Sequence, residues 1–368
     1  MPITIAPSLS HWTVDHIAAI DRPNMPVIPA ITAEERLLPD HYLWDMWPVQ
    51  CIDGTTAQID SGILWMILSS PMCDDPEARH SIARIRLVHQ HEQGAWKDLG
   101  DLLPDGFNLG SREWAGSAIL DPATSRLTLY FTATGHAGET QLTFGQRLYV
   151  TSADVIRVDG IATFQNWSSP IECVGNCGTF YMQVDEHDGA PGKIKAFRDP
   201  AWFSDPAGSD YLVFAASMPG GGTHNGAIGI ALADNTAAGG WRLLPPLLSA
   251  DGLNNELERP HILHRDGLYY LFWSTHDFTF DEGGPKGPSG LYGMVAQGAL
   301  GPYAPLNGTG LVAANPEGAP TQAYSWLVLD DLRVASFIDS PDGSNFIGTP
   351  APMFSLKLDG DKAELVTP

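Results

Sequence analysis

The chain has 368 residues, long enough for one large domain or two, and its 43% hydrophobic and 17% charged content suits a globular protein with a substantial core. A net charge of −23 argues against nucleic acid and anionic membrane surfaces as partners, because both need a basic footprint. No apolar run reaches the roughly 18 residues of a membrane-spanning helix, and 38 Gly, 29 Pro and 11 Trp favour a turn-dense β architecture.

The opening MPITIAPSLSHW has no basic stretch followed by an apolar one, so no standard export signal is read. Thr13–Ile20 is the best short helix, with Thr13 as N-cap. Runs bounded by Gly, Asp, Asn or Pro then read as strands: Gly62–Ser69, Arg126–Thr132, Tyr211–Ser217, Ala227–Ala233, Leu268–Thr275, Leu291–Gln297, Arg333–Ile338 and Met353–Leu358. The glycine run Met218–Gly226 precedes an apolar strand rather than a helix, and so reads as a surface loop, not a phosphate cradle. The four cysteines (Cys51, Cys73, Cys173, Cys177) are too few and scattered for a disulfide scaffold or a zinc site.

Three strand runs share one form, a polar turn followed by aromatic and aliphatic residues that end in small polar ones. They are SRLTLYFTATG, GSDYLVFAAS and DGLYYLFWSTH. Irregular spacing of this kind suits propeller blades with long connections, although a β-sandwich array gives a similar pattern. No linker or charge block divides the chain, which reads as one domain over residues 1–368.

Walker A, HExxH, GxSxG and EF-hand patterns are missing. Instead, acidic residues sit among aromatic ones in HYLWDMWPVQ (41–50), SREWAGSA (111–118), AFRDPAWF (196–203) and NNELERPH (254–261). Sugars present apolar C–H faces and hydroxyls, so aromatic platforms with carboxylates are a natural carbohydrate lining. Glycoside cleavage needs one ionised and one protonated carboxyl about an oxocarbenium-like transition state. Each acid taken singly could equally be a structural ion pair or a turn cap.

These segments, with HWTVDHI, WRLLPPLLSADGLNNELERPH, LGPYAPLNGTGLV and AYSWLV in this order, resemble the levansucrase, inulosucrase and bacterial β-fructofuranosidase family, glycoside hydrolase family 68. The resemblance covers most of the chain. It implies an all-β, single-domain, five-bladed β-propeller with an acidic funnel on its axis. It implies sucrose as donor, with fructose- or glucose-containing sugars or water as acceptor, and no nucleic acid or membrane partner. Asp45 is then the expected nucleophile, Glu258 the general acid/base and Asp199 the transition-state stabiliser. A retaining reaction of this kind sets the nucleophile and acid carboxyls roughly 5–5.5 Å apart.

By the same resemblance, Trp44 and Trp114 wall the fructosyl subsite, and Arg198 and Arg259 brace carboxylates and hydroxyls by bidentate hydrogen bonds. Glu256 is expected near the glucosyl unit, His276 beside the acceptor, and Tyr324 against the acid/base. Departures from the family pattern are Ala115, Ala215, Ser217 and Trp326, which stand where other residues are commoner. Asn255 replaces an acid that helps hold calcium in some members, so neither a metal nor a cofactor is expected. A hydrolytic invertase of the same family shares every carboxylate. A non-catalytic sugar-binding propeller is expected to have lost at least one of them. Relatives are often exported, so an extracellular location is expected, with the cytoplasm as the alternative. Nothing in the sequence addresses oligomeric state.

Overall fold

The computed structural model describes residues 6–32, 35–184, 189, 192–220 and 222–366. A two-residue strand β1 (Ser10–His11) and a short helix α1 (Val14–Ala18) lead the chain, with extended Thr13 at the helix N-cap as expected. Five antiparallel units follow, and in each the first strand is innermost.

The first unit runs β2 (His41–Cys51), β3 (Gly62–Pro71), β4 (Arg84–His91) and β5 (Trp96–Asp101). The second holds β6 (Arg112–Asp121), β7 (Arg126–Thr134) and β8 (Gln146–Val158), and both β9 (Ile161–Gln165) and β10 (Ile171–Val174) pair with β8. The third comprises β11 (Phe197–Ser204), β12 (Asp210–Ser217), β13 (Gly226–Ala233) and β14 (Trp241–Ser249), with β1 added in parallel to β14. The fourth has β15 (Glu258–Arg265), β16 (Leu268–Thr275) and β17 (Gly290–Ala296), against which β18 (Ala304–Pro305) and β19 (Leu311–Ala314) pair. The fifth has β20 (Ala323–Val328), β21 (Arg333–Ile338), β22 (Thr349–Pro350), β23 (Phe354–Asp359) and β24 (Lys362–Val366). The three look-alike runs of the sequence are β7, β12 and β16, the second strand of three successive units.

The innermost strands contact one another in the order β2, β6, β11, β15, β20 and back to β2, so the units close into a ring. That arrangement is a β-propeller, and it removes the sheet edges that an open array would expose. Between most units the inner strands do not pair through their backbones, so side chains satisfy their free amides. The Thr132 hydroxyl on β7 accepts from Asp199 N and donates to Ala115 O. Ser117 Oγ accepts from Trp202 N, and His261 Nε2 accepts from Val328 N. Burial pulls His261 down to about 4, which keeps this ring nitrogen an unprotonated acceptor.

All five inner strands share a second feature. Each shifts register once: between Trp44 and Met46, Trp114 and Gly116, Arg198 and Ala201, Glu258 and His261, and Tyr324 and Leu327. At four of these bulges a residue has positive φ: Asp45 (42°), Asp199 (61°), Arg259 (53°) and Ser325 (58°). In the β6 bulge the tight approach falls on Gly116, where a Cβ would lie 1.9 Å from the Tyr130 carbonyl oxygen. Three inner strands also carry proline (Pro48, Pro200, Pro260), which an inner edge strand tolerates because its N–H side faces no ladder partner.

Candidate active site

The bulges turn the acidic side chains of three different units toward one another. Asp45 comes from β2, Asp199 from β11 and Glu258 from the first position of β15. Asp199 feels the charges of both Asp45 and Glu258, which places all three in one electrostatic neighbourhood. Two arginines hold this negative charge. Arg198 Nη2 donates to Glu258 Oε1 at 2.8 Å and to Glu256 Oε2 at 3.3 Å, and its Nε lies 3.8 Å from Asp199 Oδ2. The Arg259 backbone N–H donates to Asp199 Oδ2 at 3.3 Å, Nη2 donates to Met46 O at 3.1 Å, and the guanidinium lies over Trp47.

The expected bidentate bracing is therefore not what these arginines do. One Arg198 nitrogen is shared by two carboxylates, and Arg259 uses its backbone and its charge. The cross-strand partner of Arg198 is the apolar Ala215. With no acid there, the guanidinium is left to Glu256 and Glu258.

The electrostatics separate the acids. Burial pushes Asp199 up to about 6, against the pull of Arg198 and Arg259. Asp45 is also raised by burial, with Arg259 opposing and Glu258 adding. Glu256 rises to about 8, first through burial and then through the charge of Glu258. Glu258 is buried as well, but Arg198, His276 and the Tyr324 hydroxyl outweigh that cost and hold it below its ordinary value. Because the two glutamates share Arg198, they titrate as a pair that keeps one proton well above the usual carboxylate range.

The aromatic candidates lie close to these charged groups. Trp44 and Trp114 are buried, with the Arg198 guanidinium 5.9 Å from the Trp114 ring centre. The Tyr324 hydroxyl donates to Glu258 Oε2. The His276 ring stacks on Tyr324 at 3.4 Å between centres, and burial lowers its pKa to about 4. Trp326 is buried with its ring edge toward Tyr324. Asn255 Oδ1 accepts from the Lys195 ammonium at 2.6 Å, and that ammonium also reaches Thr223 O and Asn225 Oδ1, so a side-chain cation occupies this position.

Sequence reasoning missed one wall of the site. The 3₁₀ turn Pro76–Ser81, between β3 and β4, brings Arg79 and His80 to the tryptophans. The Trp114 indole N–H donates to His80 O at 3.1 Å, and the His80 ring meets Trp44 edge-on at 5.8 Å. Arg79 lies over the Phe346 ring at 3.9 Å and 5.7 Å from the Trp44 ring centre. Asp339 joins it from the loop after β21, raised to about 6 by burial with Arg79 opposing. The adjacent pair Arg79–His80 before an apolar run was the one signal that could have pointed here.

A propeller whose inner strands gather buried carboxylates between tryptophans and arginines belongs to the class of glycoside-processing enzymes. The chain matches the levansucrase/invertase family (glycoside hydrolase family 68) over residues 7–226 and 220–367, and it belongs to that family. It is 32% identical over 373 residues to a levansucrase of Zymomonas mobilis, covering 91% of this chain and 85% of that one. A levansucrase of Rahnella aquatilis is 30% identical over 381 residues, covering 91% and 88%. Among solved structures, the inulosucrase from Halalkalicoccus jeotgali bound to kestose superposes with a TM-score of 0.88 at 35% identity, covering 97% of this chain and 95% of that one. The levansucrase from Gluconacetobacter diazotrophicus shares the fold, with a TM-score of 0.86 at 22% identity over 98% and 90%.

Proposed function

We propose that this protein is a retaining fructosyltransferase that acts on sucrose. Asp45 attacks C2 of the fructosyl unit, forming a C2–O bond as the bond from C2 to the glucosyl oxygen breaks. The proton kept by the Glu256–Glu258 pair is delivered through Glu258 to that leaving oxygen, and glucose departs. Glu258 then takes the proton of an incoming sugar hydroxyl or water, whose oxygen displaces Asp45 from C2. Asp199 stays ionised and holds fructosyl hydroxyls while positive charge develops at C2. Arg198 and Glu256 engage the departing sugar, and Trp44 and Trp114 flank the fructosyl ring.

The observation that carries this reading is the convergence of Asp45, Asp199 and Glu258 from the bulges of three separate units. Likeness to named levansucrases and to an inulosucrase with kestose supports sucrose as donor and a sugar as acceptor. Water competes for the same second step, so hydrolysis accompanies transfer.

Incubation with sucrose, followed by assay of glucose, free fructose and ethanol-precipitable material, tests the proposal. Glucose in excess of free fructose is expected. Equal amounts would make the enzyme an invertase, and no glucose release would overturn the assignment.

A further inference from the structure

Arg79 is buried and belongs to none of the acidic motifs. Its Nη1 donates to Pro76 O at 2.8 Å and to Glu77 Oε1 at 2.7 Å, both within its own turn. Its Nε has no protein partner among the described residues, although it is shielded from solvent. A buried guanidinium N–H without an acceptor is costly, and a hydroxyl-bearing ligand relieves that cost. Trp44 Nε1, on the indole that the Arg79 guanidinium approaches, is likewise buried without a partner among the described residues. The Arg79 charge acts on both Asp45, the carboxylate expected to attack C2, and His276, the ring expected at the acceptor side. The Phe346 face below it fixes the plane of the guanidinium.

We propose that Arg79 is a substrate-binding residue that donates from Nε to a hydroxyl of the fructosyl unit lying against Trp44. This rests on the fructosyl-transfer reading above. The turn Pro76–Ser81 thereby acts as one recognition element, with the His80 carbonyl fixing Trp114 and Arg79 gripping the sugar. Asp339 and Phe346, from the far end of the chain, hold Arg79 in place. They do so through charge and stacking rather than a direct ion pair.

The test compares Arg79→Gln and Arg79→Lys with the unaltered enzyme in steady-state kinetics on sucrose and on inulobiose, a fructosyl–fructose disaccharide without a glucosyl unit, alongside thermal unfolding. Loss of a hydrogen bond from a charged donor is expected to raise KM about tenfold or more, with kcat changed less. The rise should be equal for both sugars, because they share the fructosyl unit. If Arg79→Gln does not fold, Arg79→Lys carries the same reading, since an ammonium cannot reproduce the planar Nε donor. A KM within twofold of the unaltered enzyme overturns the proposal, whatever the melting temperature. A rise on sucrose without one on inulobiose overturns the assignment to the fructosyl unit. If the unaltered enzyme releases no glucose from sucrose, the underlying reading fails instead, and the two failures are distinct.

Discussion

The two sides of the site are built differently. On one side, Asp45, Asp199 and Glu258 sit on or beside bulges of inner strands, tied across units by Thr132, Ser117, Arg259 and His261. On the other, Arg79 and His80 sit on a six-residue 3₁₀ turn, held by its own carbonyls and by Phe346. The strand side holds Asp45 and Asp199 at positive φ and Glu258 directly before Arg259, which also has positive φ, and the ring fixes their spacing. The turn side lies in a connection outside the inner strands and meets them through the Trp114 indole and the Trp44 ring. The reacting carboxylates are thus built into the constrained strands, and part of the sugar recognition into a connection between them.

The sharpest way to break this contrast is on the strand side. Asp45→Ala is expected to cut the rate of glucose release by roughly 10⁴-fold or more, in line with removal of a nucleophile. Because burial already penalises the Asp45 carboxylate, the melting temperature should hold or rise. Near-normal turnover in that variant would place the nucleophile elsewhere.

Next in size is Tyr324→Phe, which removes the hydroxyl that favours the ionised form of Glu258. Without it the glutamate is easier to protonate, so the alkaline limb of kcat/KM moves to higher pH. The rate at the original optimum should fall roughly 10- to 100-fold, within the range of acid–base contributions. An unmoved limb would separate Tyr324 from the titration of the acid/base.

Asp199 sets the acid limb. Its pKa of about 6 means that below this pH the carboxyl is neutral and no longer opposes the charge developing at C2. Activity is expected to fall about tenfold for each pH step once well below 6. A pH–rate profile that stays flat down to pH 4.5 would contradict the assigned role.

How much of this was legible differs between the two sides for physical reasons. The strands read from the sequence are mostly second and third strands, because those are apolar on both faces and flanked by turns. The inner strands β2, β6, β11, β15 and β20 were visible only as chemical motifs. Three of them carry proline and four carry buried or half-buried charge, which contradict the ordinary strand pattern, and that contradiction marks where function overrides propensity. The bulges left no trace, since register shifts depend on pairing partners far along the chain. The turn side was invisible because Arg79 reaches the site through contact with Phe346, 267 positions later, and no local spacing encodes such a meeting. Arg198 was legible as a candidate from its motif, but its sharing between Glu256 and Glu258 was not, because those contacts join strands about 60 positions apart.

Glu113 joins the two sides and gives the smallest but most specific test of their separation. It lies on β6 next to Trp114, accepts from Ile85 N at 2.8 Å and from Arg84 Nε at 3.0 Å, and so pins the start of β4, which follows the recognition turn. Burial raises it from 4.5 to about 7, with Arg84 and the Ile85 amide opposing. A carboxyl raised in this way keeps its proton longer in the folded state than in the unfolded one. Its contribution to stability is therefore full below about 4.5 and is lost as pH rises through 7. The displacement corresponds to at most about 3 kcal/mol. Glu113→Gln removes the titration while keeping an acceptor, so its stability should fall less steeply than that of the unaltered protein between pH 5 and 8, as read by urea unfolding at each pH. Its kcat on sucrose should stay within about twofold, because Asp45, Asp199 and Glu258 are unchanged and Trp114 keeps its bond to His80 O. Parallel stability curves would show that Glu113 is ionised throughout, and that the clamp between the two sides is an ion pair with Arg84 rather than a retained proton.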